Sequence, residues 1–302
     1  MKIYNSLEEF KPDFNTIVTI GTFDGVHIGH KYIINHLNNI AKNEGGESVL
    51  LTFHPHPRHV LYPENQDLKL IDTLEEKKEK LAAAGLQNLI IHPFTSIFAK
   101  TKSINFVRDI LVNKMSLHYL VVGHDHHFGK NREGTFKDLN SLSKTYDFTV
   151  DQIPAQAKDE IAVSSTKIRN LIALGDIDKS NNYLGLEFGL SGTVVHGDKL
   201  GRTINYPTAN LAIEKNKIVP KTGVYLVKVI FNSQELFGML NIGVQNKKIE
   251  VHIFDFSQNI YGEKLKINFV KRMRDEQQFI DANALKAQLK IDEENCRKNV
   301  LS

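Results

Sequence analysis

The hydrophobic period of this chain changes once, near residue 175, and that change restricts the fold more than any single motif. Before it, strand-length apolar runs alternate with segments of helical spacing. The strand candidates are Thr16–Ile20, Ser48–Phe53, Asn88–Phe94, His118–Gly123 and Phe148–Ile153. Helix candidates lie near Gly29–Asn43, Leu74–Ala84, Ile104–Lys114, Lys137–Lys144 and Ser165–Leu174. Such alternation predicts a parallel sheet covered by helices, with ligands gathering outside the carboxyl ends of the strands. Beyond Gly175, the polar run GDIDKSNNYLG predicts a helix stop and then a linker.

Strand candidates then follow one another without helices: Ser191–His196, Val224–Phe231, Leu236–Ile242, Ile249–Phe254 and Leu265–Phe269. Closure into a small barrel hides the edges of so many short strands. Leu285 and Leu289, four apart within Ala282–Cys296, predict a terminal helix packed on it. A chain of 302 residues favours about two domains, and the boundary is expected between 1–182 and 183–302. The lone Cys296 excludes an internal disulfide and suits a reducing, cytoplasmic setting. MKIYNSLEEF has no apolar core of a secretory signal, and no run approaches the length of a membrane span. A net charge of +3 gives no reason to expect a nucleic-acid or membrane partner, and a homo-oligomer is left open.

The first motif, Gly21-Thr-Phe-Asp-Gly-Val-His-Ile-Gly-His30, follows the apolar strand TIVTI and opens a segment of helical spacing through Ile33, Ile34, Leu37 and Ile40. Gly21 and Gly25 allow a tight turn and close approach of the backbone to a ligand. His27 and His30 sit on one side of a helix start, where unpaired N–H groups and the macrodipole attract phosphate. Two imidazoles there suit an α-phosphorus under attack. By itself H-x-G-H also reads as a βα turn with two surface histidines; zinc is a third reading, without a nearby third ligand.

Company for this motif stands at three further places. His56 and Arg58 lie in Thr52-Phe-His-Pro-His-Pro-Arg58, in a loop stiffened by two prolines. Asp125 and Arg132 lie in Gly123-His-Asp-His-His-Phe-Gly129 and its continuation Asn131-Arg-Glu-Gly134, after the fourth strand. A metal is the alternative there, against the poor chelate geometry of adjacent histidines. Ser164, Thr166, Lys167 and Arg169 open the last helix of this half, as a phosphate grip or as an ordinary N-cap.

This ordered set resembles the adenylyltransferase half of bacterial bifunctional riboflavin kinase/FAD synthetases. The resemblance covers about residues 1–180 and implies a Rossmann-like nucleotidylyltransferase that joins FMN to ATP and releases pyrophosphate. It implies that His27 and His30 hold ATP phosphates, and that Asp125, Ser164, Thr166 and Arg169 line the nucleotide site. Gly21, Phe23, Asp24, Gly29, His56, Phe128 and Arg132 are further binding residues that it implies. The chain departs from the family in having His126-His127 where an aromatic and an arginine often stand. No residue needs to become adenylylated, because the FMN phosphate is already a nucleophile. Positioning and charge neutralisation suffice, with Mg²⁺ expected on the triphosphate.

The second half carries Gly197-Asp-Lys-Leu-Gly-Arg202, a basic turn between glycines that suits phosphates and equally suits a charged hairpin tip. Thr208 and Asn210, in Tyr206-Pro-Thr-Ala-Asn210, are hard oxygen donors that face the same way if the segment is extended. They suit an Mg²⁺ already bound to ATP. Glu250, His252 and Phe254 share a strand face, and a carboxylate there either accepts a hydroxyl proton or simply faces solvent.

Together with Gly223-Val-Tyr225, Asn241-Ile-Gly243 and Tyr261-Gly262, these motifs look like the riboflavin kinase domain over about 185–302. The resemblance implies a six-stranded barrel that moves the γ-phosphate of ATP onto the ribityl 5′-hydroxyl. Glu250 is then the general base, Thr208 and Asn210 bind Mg-ATP, and Gly197, Lys199, Gly201, Arg202 and Asn241 bind substrate or nucleotide. Arg274 and Glu276 match the flavin-side loop. Val244-Gln-Asn-Lys247 replaces the family's R-P-T-like turn.

The expected partners are therefore ATP, riboflavin, FMN and FAD. Other readings are an enzyme with one live site, a flavin- or nucleotide-binding regulator without turnover, and an aminoacyl-tRNA synthetase fragment. A retained base weighs against the regulator; the second ATP motif and the small charge weigh against the synthetase.

Overall fold

The computed structural model describes residues 1–64, 67–123, 126–153, 163–197, 201, 204–244 and 248–300. Contacts divide the chain into two compact units, Met1–Ser164 and Ser165–Ser302.

The first unit is built on β1 (Lys2–Tyr4), β2 (Thr16–Ile20), β3 (Glu47–His54), β4 (Asn88–Pro93), β5 (Leu117–Val122) and β6 (Thr149–Gln152). They form one parallel sheet in the order β1-β4-β3-β2-β5-β6. Its central strands are apolar on both faces, as a sheet covered on both sides requires. Val18, Val49, Leu51 and Leu120 point to one core with Phe10, Phe106 and Leu139. Ile17, Leu50, Leu89 and Val121 point to the other, where α1 (Ile28–Asn43) adds Ile34 and Leu37 and α3 (Leu74–Ala83) adds Leu81. Neighbouring residues along each strand thus feed opposite cores. Between β2 and β5 the strand order reverses, which in such sheets opens a ligand crevice at the carboxyl ends.

The remaining elements of this unit are short. Helix α2 (Pro57–Leu61) has proline in its first turn, and α4 (Ser103–Asn105) runs into a π-helical stretch, Phe106–Val112. Helix α5 (Phe136–Tyr146) starts with a Thr135–Asp138 capping box. Neither β1 nor α2 is evident from periodicity. A three-residue edge strand and a single helical turn are too short to show one.

The second unit begins with α6 (Ser165–Leu174) and α7 (Ile177–Leu184). Helix α7 corrects the linker expected at GDIDKSNNYLG. Asp176 caps it by accepting the Lys179 N–H at 3.2 Å, and Gly185 closes it in the left-handed conformation. Ile177, Ser180 and Leu184 form its buried side. The Asn181 amide donates to the Phe269 carbonyl at 2.9 Å and accepts the Phe188 N–H at 2.7 Å, which fastens the helix to the barrel.

The barrel is closed, in the order β10-β11-β8-β7-β12-β9. Its strands are β7 (Gly189–Val195), β8 (Ala209–Ile213), β9 (Gly223–Phe231), β10 (Gln234–Ile242), β11 (Ile249–Ile253) and β12 (Lys264–Arg274). Tyr225, Val227, Leu240, Val251 and Ile267 fill the interior. Residues of the opposite parity, Leu226, Met239 and Phe254, form an outer patch with Cys296 of α8 (Ala282–Val300), and Leu289 packs against it.

An ion pair fixes α8 further. Arg274 reaches Asp292 through Nε at 2.9 Å and Nη2 at 2.6 Å, and Gln288 donates to the same carboxylate at 2.9 Å. Asp292 is only 3% exposed. Removing one partner of a buried pair strands the other charge. Asp292→Ala is expected to destabilise this unit by about 3 kcal/mol, read as a lower urea midpoint by circular dichroism.

Candidate active sites

The first site grows from the turn between β2 and α1. Phe23 and Val26 adopt positive φ of 47° and 39°, and Gly25 lies at 90°. Such strain persists where the surroundings over-determine it. Asp24, buried at 1% exposure, accepts the N–H groups of Ile71 at 3.0 Å and Asp72 at 3.2 Å. Lys77 of α3 donates to the Thr22 carbonyl at 2.8 Å, and the Thr52 hydroxyl reaches the same oxygen at 3.3 Å. A Cβ on Gly25 would lie 2.9 Å from Ile71 Cδ1, so a larger residue has neither the backbone angle nor the room.

That clamp fixes the histidine pair. His27 is the N-cap of α1, and its Nδ1 accepts the His30 N–H at 3.4 Å, which puts the proton of its neutral ring on Nε2. The His27 and His30 rings stack at 3.7 Å and 19°, and Phe23 stacks on the other face of His30 at 4.4 Å and 24°. Nδ1 of His30 is buried and has no hydrogen-bond partner among the described residues. Burial, the neighbouring His27 and the Lys77 ammonium push the His30 pKa well below the usual histidine range, so the ring is neutral near pH 7. Gly29 lies in the buried first turn, and Gly21 packs against the Phe23 ring.

The other predicted residues of this half spread over three segments. His56 caps α2, accepting the Arg58 N–H at 3.2 Å. Phe128 is buried, bridges to Gly134 and stands 6.1 Å from the parallel His126 ring. The Nε2 of His126 is buried and without a partner among the described residues, and burial lowers its pKa to about 4. Arg132 is exposed in a turn at φ 61°. Ser164 ends the first unit, exposed, while Thr166 and Arg169 lie on α6 of the second unit, where Arg169 Nη1 approaches the Thr166 hydroxyl at 3.4 Å. Asp125 lies outside the described residues.

The second site is a cavity of about 670 Å³ on the outer face of the barrel, bounded by Tyr206 and Thr208 just before β8, by β10, β11 and the end of β12, and by Leu285 and Leu289 of α8. Two residues of its wall, Glu250 and Asn241, belong to a row of cross-strand partners. Asn210 of β8 pairs with Glu250 of β11, which pairs with Asn241 of β10. Directly opposed residues of antiparallel strands share a face, so the three side chains stand side by side. Asn210 is buried, and its Oδ1 has no hydrogen-bond partner among the described residues. A buried amide oxygen without a donor is costly unless something else satisfies it.

Gly197 and Gly201 bring their backbone against this end of β8. A Cβ on Gly197 would overlap the Asn210 amide, and one on Gly201 would overlap the Tyr206 carbonyl and reach Thr208 Oγ1 at 3.5 Å. The glycines therefore let the loop ends lie on Asn210 and Thr208. Lys199 and Arg202 lie outside the described residues, as do residues 245–247 of the departing turn.

Glu250 has Lys248 Nζ at 3.7 Å. Arg274 lines the cavity, but its guanidinium is spent on Asp292 and on the Asp275 carbonyl at 2.9 Å. Glu276 Oε2 accepts the Val244 N–H at 2.8 Å, so it holds the loop after Gly243. Sequence reasoning missed Lys77, whose run of neighbouring lysines hides a buried one. It placed His252 beside Glu250 and Phe254 without a role; the ring Nδ1–H donates to the Pro207 carbonyl at 2.8 Å. Among the described residues no three His, Cys, Asp or Glu side chains gather into a metal site. The oxygen donors Thr208 and Asn210 instead fit a magnesium ion that brings phosphate ligands with it, and the unsatisfied Oδ1 is the observation that favours this.

Comparison with known proteins covers both units. Residues 10–167 match the family model of FAD synthetase, and 184–300 match that of riboflavin kinase. The bifunctional riboflavin kinase/FMN adenylyltransferase of Listeria monocytogenes is 37% identical over 94% of this chain and 92% of its own. The Bacillus subtilis protein of the same name is 35% identical over 92% of this chain and 90% of its own. A crystal structure of a macrolide-efflux protein from Streptococcus pneumoniae superposes with a TM-score of 0.88 at 32% identity, covering 98% of both chains. Efflux belongs to that protein's name; among the described residues no helix is long and apolar enough to cross a membrane. The matches run through both sets of motifs and both units, and the chain belongs to the bifunctional riboflavin kinase/FMN adenylyltransferase family.

Proposed function

We propose that this chain makes FAD from riboflavin in two ATP-dependent steps. The barrel unit phosphorylates riboflavin to FMN, and the N-terminal domain, extending to about residue 182, adenylylates FMN and releases pyrophosphate. The observation that carries the reading is the row Asn210–Glu250–Asn241, which carries an unsatisfied amide oxygen on Asn210 and lines a cavity of flavin size with Glu250 and Asn241. Thr208 and Asn210 hold the magnesium–ATP complex, and the ion neutralises charge on the transferring phosphoryl group. Glu250, on the same face as Asn210, accepts the proton of the ribityl hydroxyl as the new P–O bond forms. Asn241, Arg274 and Glu276 shape the flavin end, the last two by fixing α8 and the loop at Val244.

In the first unit the stacked pair His27 and His30 faces the triphosphate. A ring whose Nε2 carries hydrogen donates to phosphate oxygen without adding a full charge to a buried place. Such donors act where charge grows on the α-phosphate as the FMN phosphate attacks. Asp24 and Lys77 hold the turn in its strained form, so the donors do not reorganise during reaction. Asp125, Ser164, Thr166 and Arg169 complete the nucleotide site in this reading, with Gly21, Phe23, Gly29, His56, Phe128 and Arg132 around it. The basic loop residues Lys199 and Arg202 serve the kinase phosphates. The setting is cytoplasmic, with Mg²⁺ carried on the ATP as cofactor and no nucleic-acid or membrane partner.

The two sites are separable. Purified protein given riboflavin, ATP and Mg²⁺ should yield FMN and FAD, resolved by chromatography. His27→Ala should lower FAD formation from FMN about 10²–10³-fold while FMN formation continues at its normal rate. Glu250→Gln should lower FMN formation about 10²–10⁴-fold and leave FAD formation from supplied FMN intact. Loss of both products in either variant would reject the assignment. The neutral state of His30 has its own test: its ring-proton resonance should stay at the neutral shift as pH falls through 6.5. A midpoint near 6.5 would show that burial and Lys77 do not act on the ring.

A further inference from the structure

The strand pairing that aligns Asn210 with Glu250 stops one rung later. β11 and β8 pair at Glu250↔Asn210 and Val251↔Ala209, and the next residues along, His252 and Thr208, are not paired. Thr208, one of the two oxygen donors, thus stands just beyond the end of the ladder. The residue before it is a proline, which has no N–H and offers only its carbonyl to any tether. His252 supplies that tether. Its ring lies on the same strand face as Glu250, both residues line the cavity, and Nδ1 is 2.8 Å from the Pro207 oxygen. A carbonyl only accepts, so Nδ1 carries the hydrogen and donates it. Tyr206 packs edge-on against the ring at 5.1 Å and Phe254 at 6.0 Å, which limits its rotation.

Resting on the kinase reading above, we propose that His252 is a positioning residue for magnesium–ATP: by donating to the Pro207 carbonyl it extends the β8–β11 register with a side chain and keeps Thr208 in phase with Asn210. The ring makes no claim on the reacting atoms. Its effect falls on nucleotide affinity, because Thr208 and Asn210 must present their oxygens to one ion.

The experiment uses three substitutions in the full chain. His252→Ala removes the donor. Asn carries its amide nitrogen the same number of bonds from the backbone as Nδ1, and Gln the same number as Nε2, so His252→Asn restores the tether and His252→Gln does not. The expected result is a KM for magnesium–ATP in FMN formation raised about three- to tenfold in the Ala and Gln variants. The KM for riboflavin and kcat stay within about twofold, and the Asn variant stays near wild type. Calorimetric titration with magnesium–ADP, in a His27→Ala background that weakens the first unit's site, should show the same order of affinities. Equal behaviour of Asn and Gln would overturn the proposal. So would a loss confined to kcat or to riboflavin, or a fall in every parameter together with the thermal midpoint. A wild-type chain that makes no FMN rejects the kinase reading itself, whereas a normal wild type without the Asn/Gln split rejects only the role of His252.

Discussion

The antiparallel register of β8, β11 and β10 is the constraint on which the barrel's chemistry depends. It sets Asn210, Glu250 and Asn241 in one row. A slip of one residue would turn Glu250 inward and Val251 outward, because side chains alternate across a strand. The apolar interior, with Val251, Leu240 and Tyr225 fully buried, opposes that slip. Hydrophobic burial therefore fixes where a carboxylate and two amides meet, although none of the three contributes to the core. Gly197 then lies against Asn210, and Gly201 against Tyr206 and Thr208, without a Cβ to disturb the row.

The first unit solves its positioning problem differently. Its histidines sit on a turn whose own backbone is unfavourable, with Phe23 and Val26 in the left-handed region. That turn is held from outside by the Ile71 and Asp72 N–H groups, which donate to its own Asp24 carboxylate, and by the Lys77 ammonium on the Thr22 carbonyl. Burial lowers the pKa of Lys77, while Asp24 and Asp72 oppose the shift. A rigid sheet supplies the location, and a small set of buried charges supplies the conformation.

The architecture was legible because period is a strong signal. Alternating strands and helices gave the parallel sheet, and strands alone gave the barrel. What was misread had a polar surface or a short length. Helix α7 shows only Ile177, Ser180 and Leu184 to the interior, so GDIDKSNNYLG looked like a linker until Asp176 and Gly185 were seen as its caps. The pairing of residues 209–213 as β8 was likewise obscured by the motif they begin with. For the sites, residue types were readable but partners were not. The sequence presents Asp24, Arg274 and Glu276 as substrate ligands in waiting. Their oxygens and nitrogens go to Ile71 and Asp72, to Asp292, and to Val244, across separations that no local pattern encodes.

Cys296 gives the fold a property unrelated to flavin chemistry. The thiol is fully buried between α8 and the barrel, and burial together with Asp292 and Glu293 raises its pKa to about 12. Reaction with an oxidant or an alkylating agent requires the thiolate and access to it. Neither is present while the helix is docked. The only sulfhydryl in the chain is thus silent in the native state and becomes reactive when α8 lifts away, so local opening of this one helix leaves a chemical trace that the rest of the molecule cannot produce.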